Sequence, residues 1–258
     1  MTRRTSKDAL LIMLGGYDLR ASMSSQTRTR EWLSEARFPW GEELEENLDV
    51  GISRTNITQD GYFDDDTHAA HRALFHGQTE ELPFLYNNVG AAVLSPTGMV
   101  HGARVTNLSE PSQGGQYVKF QAQYQGSGHS TTKGLLLKTL TTVTADGSAI
   151  IDTGSGETSA NGLWVISQVC EFILGTATAL VLKVSEGAAT PGGPWVAQST
   201  HTYTDDTVHE LTPGDGGHDA KSTDGTGTVG RYLKLEWTWT GGAGGGSTAK
   251  IALAGARL

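Results

Sequence analysis

Three aspartates and two histidines fall within eleven residues of the chain, in the stretch GYFDDDTHAAH from Gly61 to His71. Side chains of these types can bind a metal ion or take part in acid–base catalysis. His68 and His71 are spaced to share one face of a helix, but a zinc site needs a third ligand, and the sequence shows none in a suitable arrangement. The aspartates also lack the alternate spacing and the distal glutamate of a calcium-binding EF-hand loop. The stretch therefore predicts no metal site.

The same residues fit the start of a short helix near residues 67–76. Asp64, Asp65 or Asp66 can cap this helix by accepting hydrogen bonds from the first-turn amides. The other aspartates are stabilised by the positive end of the helix dipole. The alanines that follow favour a helix, and Gly77 is placed to end it. We therefore interpret the three aspartates as helix caps.

No other motif in the sequence predicts catalysis or cofactor binding. The glycine pairs at 126–128 and 154–156 are not part of a GxxxxGK[ST] phosphate-binding loop, and the chain has no GxSxG nucleophile elbow. His129 and Ser130 are neighbours in a Gly/Ser-rich stretch that we interpret as a linker, not as half of a catalytic triad. We therefore expect a protein that is not an enzyme and that uses no cofactor and no metal.

The composition favours a β-rich protein without a basic surface for nucleic acid. Of the 258 residues 34 are glycine, about twice the usual share, and Ser and Thr are also abundant, which is typical of strands joined by many turns. The formal net charge is −9, whereas binding a phosphate backbone needs clustered Lys and Arg. Cys170 is the only cysteine, so no intrachain disulfide is expected.

No secretion signal or membrane span is expected either. The apolar run Ala9–Leu14 is too short, and no small-residue cleavage pattern follows it. No stretch has the apolar length of a membrane span. These features predict a soluble intracellular protein with no membrane partner.

The first part of the chain, residues 1–145, predicts strands, one long loop and the short helix. Ala9–Leu14 is a strand candidate that ends in a Gly-Gly turn. Met99–Leu108 and Tyr117–Tyr124 predict two neighbouring strands, and the second alternates apolar and polar residues as a half-buried strand does. Arg37–Gly51 predicts an exposed acidic loop with one helical turn at Glu42–Asn47.

The second part, residues 146–258, predicts a β-sandwich or jelly roll, because short strands follow one another between Gly-rich turns. Leu233, Leu235, Trp237 and Trp239 would share one face of a strand. The linker GGAGGGS separates this strand from the last one, so the two are expected to form a terminal hairpin. Trp195, Trp237 and Trp239 are also candidates for stacking on sugars, although a shared apolar face favours core packing for the last two.

Several segments resemble the major tail tube proteins of long-tailed bacteriophages and prophages. They are FPWGEELEENLDVGI, followed by strand-type residues and GYFDD, and the opening LLIMLGGYDLRASM. TSANGLWVISQV, LVLKVSEG and GTVGRYLKLEWTW are similar to the C-terminal β-domain of larger family members. The resemblance implies a mainly β fold, with a tail-tube-like β-sandwich or barrel carrying one short helix, followed by a C-terminal β-sandwich of jelly-roll or Ig-like type.

The resemblance also implies a structural function in the virion. Subunits of this family form rings, commonly of six, that stack into a hollow tail tube around a tape-measure protein, and DNA later passes through as cargo. Residues 1–145 would be the assembly domain, and residues 146–258 would lie outside the tube. The expected location is the virion tail, with the host cytoplasm as the place of assembly. The alternative is a virion or surface carbohydrate-binding β-sandwich protein.

The acidic loop supplies the candidate interface, because the family's corresponding loop bridges stacked rings. Phe38 and Trp40 would reduce solubility if they were exposed, unless a partner covers them. We therefore predict that a neighbouring subunit buries them and that the glutamates meet Arg or Lys on that subunit. The candidate interface residues are Phe38, Trp40, Glu42, Glu43, Leu44, Glu45 and Glu46.

Overall fold

The computed structural model describes residues 11–20, 23–37, 46–62, 69–87, 92–109, 119–154, 159–187, 191–209, 216–242 and 245–258. Within these ranges the protein is mainly β, with antiparallel sheets and one helix, as the sequence predicted. The helix is α1 (Ala69–Thr79). The strands are β1 (Leu11–Leu14), β2 (Tyr17–Asp18), β3 (Met23–Arg37), β4 (Glu46–Tyr62), β5 (Leu82–Asn87), β6 (Pro96–Ser109), β7 (Lys119–Val143), β8 (Gly147–Asp152), β9 (Leu163–Ile173), β10 (Ala179–Gly187), β11 (Trp195–Tyr203), β12 (Gly217–Asp224), β13 (Tyr232–Thr240) and β14 (Thr248–Arg257).

The described strands form a ten-stranded sheet and a four-stranded sheet. The larger sheet has the order β12-β9-β14-β7-β6-β5-β1-β2, and the smaller has the order β11-β10-β13-β8. The larger sheet branches at β7, because this strand pairs with β4 over Lys119–Gly126 and with β14 over Leu135–Val143. Strand β3 follows β4 at the end of the first branch. The long strand β7 thus carries both branches of the sheet.

Three apolar clusters lie between the layers, because several strands are apolar on both faces. One cluster packs α1 against β1, β5, β6 and β7 and includes Leu14, Leu74, Phe84, Val100 and Tyr124. A second is enclosed by the larger sheet, whose opposite ends approach each other where β2 contacts β9 and β5 contacts β12. This enclosed cluster includes Met13, Leu85, Met99, Trp164 and Ala254. A third lies between the two sheets and includes Val169, Leu182, Leu235, Trp239 and Leu253.

The two predicted parts of the chain share the larger sheet. The boundary near residue 145 falls in the turn between β7 and β8, where the chain passes from the larger to the smaller sheet, and Asp146 Oδ1 accepts a hydrogen bond from Trp239 N at 2.7 Å. Strand β14 then returns to the larger sheet and pairs with β7 on one side and β9 on the other. A division into an assembly domain and a sandwich domain stays a prediction, and the strands on its two sides are hydrogen-bonded to each other.

The expected terminal hairpin is wrong. Strand β13 pairs with β10 and β8 in the smaller sheet, whereas β14 pairs with β7 and β9 in the larger one. The physical reason is that β14 is apolar on both faces: Ile251 and Leu253 pack between the sheets, while Ala252 and Ala254 pack in the enclosed cluster. A strand with two buried faces must lie between two layers, so the Gly-rich linker crosses from one sheet to the other.

The expected Gly/Ser linker around His129 and Ser130 is also wrong, because these residues belong to the continuous strand β7. The glycines there permit close packing. A Cβ added at Gly126 would lie 2.8 Å from Val100 Cγ1, and one at Gly134 would lie 2.4 Å from Met99 Sδ. Glycine in a strand can mark such a close approach as readily as a flexible connection.

Two predicted boundaries also need correction. The helix continues past Gly77 to Thr79, and a Cβ at Gly77 would lie 2.7 Å from Val105 Cγ2. Gly77 therefore brings the helix close to β6 and does not end it. The loop predicted at Arg37–Gly51 is strand from Glu46 onward, because Glu46 pairs with Arg37 and Asp49 pairs with Ser34. Cross-strand pairing overrides the low strand propensity of this acidic segment.

Candidate functional site

The candidate assembly element is a long two-stranded arm. Strands β3 and β4 pair from Met23–Gly61 at the base to Arg37–Glu46 at the far end. Strand β4 also pairs with β7, but only from Thr55 to Tyr62. Beyond Thr55 the two strands pair only with each other among the described residues, and we call residues 31–37 and 46–54 the arm. At about 3.3 Å per residue the arm reaches roughly 30 Å past the last pair with β7.

The outer edge of β3 is the second feature of this element. Within the described part of the chain β3 pairs with β4 alone. Its other edge therefore presents a row of backbone N–H and C=O groups without a strand beside it. Proteins normally cover or interrupt a long edge of this kind, because it is a template for pairing with another chain. Near the base of the arm the side chains of Ser24, Ser25, Thr27 and Thr29 are exposed.

One of the predicted interface residues, Glu46, belongs to the far end of the arm. Glu46 is the first residue of β4 and pairs with Arg37. The other candidates lie outside the described residues, in the segment that connects the two strands of the arm: Phe38, Trp40, Glu42, Glu43, Leu44 and Glu45. Their contact with a neighbouring subunit stays a prediction. The predicted helix caps Asp64, Asp65 and Asp66 also lie outside the described residues.

A cluster of histidines lies where the helix meets the second part of the chain. Glu80 follows His76 by four residues, directly after the end of α1. His209 lies in the turn that precedes β12, with a left-handed φ of 52°. One potential ligand atom from each residue lies within 4.8 Å of the other two. The hydroxyl of Tyr17 donates a hydrogen bond to the backbone oxygen of His209 at 3.0 Å, and its ring stacks on both imidazoles. These contacts fix His76 and His209 relative to each other.

Burial favours the neutral form of two histidines of this cluster, His76 and His218. Burial lowers the pKa of His76, and the nearby His209 lowers this pKa further. Burial also lowers the pKa of His218, whose ring stacks on Tyr17 with centroids 4.5 Å apart. The lowered pKa values favour neutral imidazoles near neutral pH, and a neutral imidazole is the form that binds a metal.

Another histidine, His201, lies in a buried hydrogen-bond network between the sheets, away from the cluster described above. Ser167 Oγ contacts His201 Nδ1 and lies 2.5 Å from Tyr203 Oη. His201 Nε2 is 2.9 Å from Thr223 Oγ1 and 3.1 Å from Ser199 Oγ. Burial lowers the pKa of His201 to about 4. A serine beside a histidine is a pair found in hydrolases, but Ser167 and His201 are 0% and 3% exposed, so this pair satisfies buried polar groups and is closed to a substrate.

The tryptophans considered for sugar binding are largely occupied by packing. Trp239 is buried between the two sheets and Trp237 packs against the same cluster, which confirms the predicted apolar face of β13. The ammonium group of Lys138 covers the ring of Trp237, 4.1 Å from its centroid. Trp195 is half-buried and packs closely against the backbone at Gly187. Trp239 is therefore closed to a sugar, and the rings of Trp237 and Trp195 are partly covered by these contacts.

No family model matches the chain, and no curated protein matches its sequence. Among solved structures it is similar to a chain of the virion of a native gene transfer agent, with 12% identity, coverage of 50% of this chain and 98% of that chain, and a TM-score of 0.38. A chain from the tail of an empty gene transfer agent particle, refined with C6 symmetry, has 14% identity, the same coverage and a TM-score of 0.35.

The match to the hub protein Dit of phage SPP1 covers a larger share of this chain. Its identity is 11%, the match covers 95% of this chain and 98% of that chain, and the TM-score is 0.32. At these identities and TM-scores the likenesses carry no functional argument. The helix α1, the one helix in the described ranges, is not long and apolar enough to cross a membrane.

Sequence reasoning missed the histidine cluster for two identifiable reasons. The predicted helix ended near Gly77, so Glu80 was not placed one turn after His76. His209 lies far along the chain in a turn, and only the tertiary structure brings it to the helix. The sequence signal that was present is the i, i+4 spacing of His76 and Glu80, which places two ligand types on one helix face.

Proposed function

We propose that the chain is a structural protein of a phage tail, which assembles with copies of itself into rings through the β3–β4 arm. The observation that carries this proposal is the arm itself, which pairs only with itself beyond Thr55 within the described residues. An isolated two-stranded hairpin is marginally stable in water. An arm of this length is therefore expected to be covered by another chain in the assembled protein.

A ring provides that cover for every subunit. If the arm of one subunit adds to the sheet of the next, the contact is head-to-tail, and a head-to-tail contact closes into a ring when the rotation between subunits allows it. Closure also leaves no free copy of the β3 edge, which would otherwise be open to uncontrolled pairing. We propose rings of six, as the sequence resemblance implies.

We further propose that these rings stack into a tail tube around a tape-measure protein and that DNA passes through as cargo. The formal net charge of −9 supports this use, because a wall rich in Lys would retain the phosphates. The role needs no bond-breaking chemistry, no cofactor and no membrane. Carbohydrate binding has less support, because Trp237 and Trp239 pack against the core.

The test compares the full chain with an arm-deletion variant. Arg30 and Thr55 are directly paired, so residues 31–54 can be replaced by Asn-Gly, which forms a two-residue hairpin turn. We expect the full chain to form rings of a fixed multiple of its 27.4 kDa mass by native mass spectrometry and negative-stain microscopy. The variant should remain a folded monomer, checked by circular dichroism and thermal melting.

Phe75→Ser is the matched control, since Phe75 is an apolar side chain that is 60% exposed on α1, away from the arm. This variant should still form rings. A full chain that stays monomeric at all concentrations would contradict the proposal, as would an arm-deletion variant that forms the same rings. If the rings stack into tubes, this would support the proposed tail-tube function. Rings that never stack would limit the proposal to a single ring within the tail.

A further inference from the structure

We infer that His76, Glu80 and His209 form a binding site for a divalent transition-metal ion of the zinc class, which would join α1 to the turn before β12. The inference rests on geometry and is independent of ring assembly. It replaces the expectation, drawn from His68 and His71, that the chain has no metal site. Imidazole and carboxylate together form a ligand set that suits zinc, copper and nickel better than calcium or magnesium.

The spacing of the three side chains fits one ion. Glu80 follows the last residue of α1, and its backbone N donates to the backbone oxygen of His76 at 2.9 Å, so the two side chains are neighbours one helical turn apart. Zinc holds nitrogen and oxygen ligands at about 2.0–2.2 Å, so two ligands of one ion lie roughly 3–4 Å apart. His209 Nε2 and Glu80 Oε2 are 3.4 Å apart. The imidazoles of His76 and His209 also lie together, with ring centroids 4.2 Å apart.

His209 provides an independent second observation. Its Nδ1 atom is buried and has no hydrogen-bond partner among the described residues. Nε2 is the nitrogen that faces Glu80, so an ion shared with Glu80 would bind Nε2 and leave the imidazole proton on Nδ1. His209 also adopts a left-handed backbone conformation, which is uncommon for a residue other than glycine and often occurs at functional positions.

The surroundings hold His209 in place before any ion binds. Tyr17 Oη donates to the backbone oxygen of His209 at 3.0 Å, and His218 N donates to the backbone oxygen of Val208 at 2.7 Å. The backbone is therefore held at Val208 and at His209, and ligands positioned in advance lose little freedom on binding. Two charged groups act on His76: Arg72, one helical turn before it, would repel a cation, and the carboxylate of Glu80 would attract one.

Three protein ligands leave at least one coordination position for water, because zinc is usually four-coordinate. The site would connect residues of the first part of the chain to a turn of the second part. Bound metal is therefore expected to stabilise the contact between α1 and the strands at the end of the larger sheet, since a ligand that binds only the folded state raises stability.

The experiment is a zinc titration of the untagged full chain after EDTA treatment and dialysis, followed by calorimetry. Cobalt absorption in the visible range serves as a second probe of coordination. We expect one ion per chain, a rise in Tm with zinc, and little competition from magnesium. Glu80→Gln and His209→Asn should each weaken binding at least about tenfold, because each removes a direct ligand.

Glu81→Gln is the matched control, since it makes the same chemical change on the neighbouring exposed residue and should leave affinity unchanged. Asn tolerates positive φ, so His209→Asn is expected to fold, and the melting curves of the metal-free variants check this. Two outcomes would overturn the inference: no saturable binding of zinc, or binding that Glu80→Gln and His209→Asn leave unchanged.

Discussion

Strands β14 and β3 show two opposite ways in which a strand is stabilised in this protein. Strand β14 pairs on both edges and is buried on both faces, with Leu253 against the smaller sheet and Ala254 in the enclosed cluster. Among the described residues strand β3 pairs on one edge only, and its side chains near the base are mostly exposed. The first strand is held by its own subunit. The second leaves pairing capacity for another chain, and under the proposed assembly, core stability and ring formation would depend on different strands.

A buried charge in β14 should have the largest effect. Ala254 is fully buried and lies opposite Leu136 and Ile166, so Ala254→Asp places a carboxylate among the apolar side chains of the enclosed cluster. We expect destabilisation of about 4 kcal/mol or more. Thr29→Asp on exposed β3 should change the free energy of unfolding by less than about 0.5 kcal/mol. Urea unfolding measures both, and equal losses would remove the distinction between the strands.

Removing a buried apolar side chain should come next. Leu253→Ala removes a side chain that is 2% exposed between the two sheets, and we expect a loss of about 2–5 kcal/mol. Ile150→Ala is the control, because Ile150 on β8 is 51% exposed and should lose less than about 1 kcal/mol. If the two variants unfold at the same urea concentration, the packing of β14 between the sheets is not a main source of stability.

Acid should weaken the contact between the sheets through His201. Burial lowers the pKa of this side chain to about 4, from about 6.5 in the unfolded chain. Between these values the unfolded chain binds a proton that the folded chain excludes, so stability falls as the pH falls from about 6.5 to 4. The full effect is about 3 kcal/mol. Tm measured across this range should fall more steeply for the wild type than for His201→Gln, and parallel curves would contradict the assignment.

A substitution in the segment that connects the strands of the arm should weaken assembly and leave folding of the subunit almost unchanged. Trp40→Ala removes a predicted aromatic anchor, and such an anchor contributes about 2 kcal/mol or more at an interface hot spot. We expect ring or tube formation, followed by light scattering, to weaken while the melting point of the isolated subunit changes little. The reverse result, a strongly lowered melting point with normal assembly, would place Trp40 in the subunit core.

The smallest effect is expected from reversing two charges in the segment that connects the strands of the arm. Glu42→Lys combined with Glu43→Lys should slow assembly, because charges at an interface rim mainly affect association rate and register. The change in assembly free energy should be below about 1 kcal/mol. Added salt should reduce the difference from the wild type, since exposed charges are screened. A rate that is independent of salt would show that these glutamates do not face charged partners.

The sequence alone predicted much of the local structure. Alternation correctly placed Phe120, Ala122 and Tyr124 on the buried face of one strand, and a Gly-Gly turn correctly followed the first strand. These features depend on neighbours within a few residues, which the sequence displays directly. The same reasoning misread the glycines of β7 as a linker, because a glycine required by close packing and a glycine in a flexible connection look identical in one chain.

Which strands became partners was decided only by the tertiary structure. The sequence shows that β14 is apolar on both faces from Ile251 to Ala256, but the choice between a hairpin with β13 and a place between β7 and β9 depends on which layers can bury its two faces. In the same way, the helix supplies His76 and Glu80 at a spacing that the sequence shows, while His209 reaches them only through the packing of the turn before β12. Periodicity and local spacing are properties of the chain, whereas pairing and convergence are decided by burial across long separations in sequence.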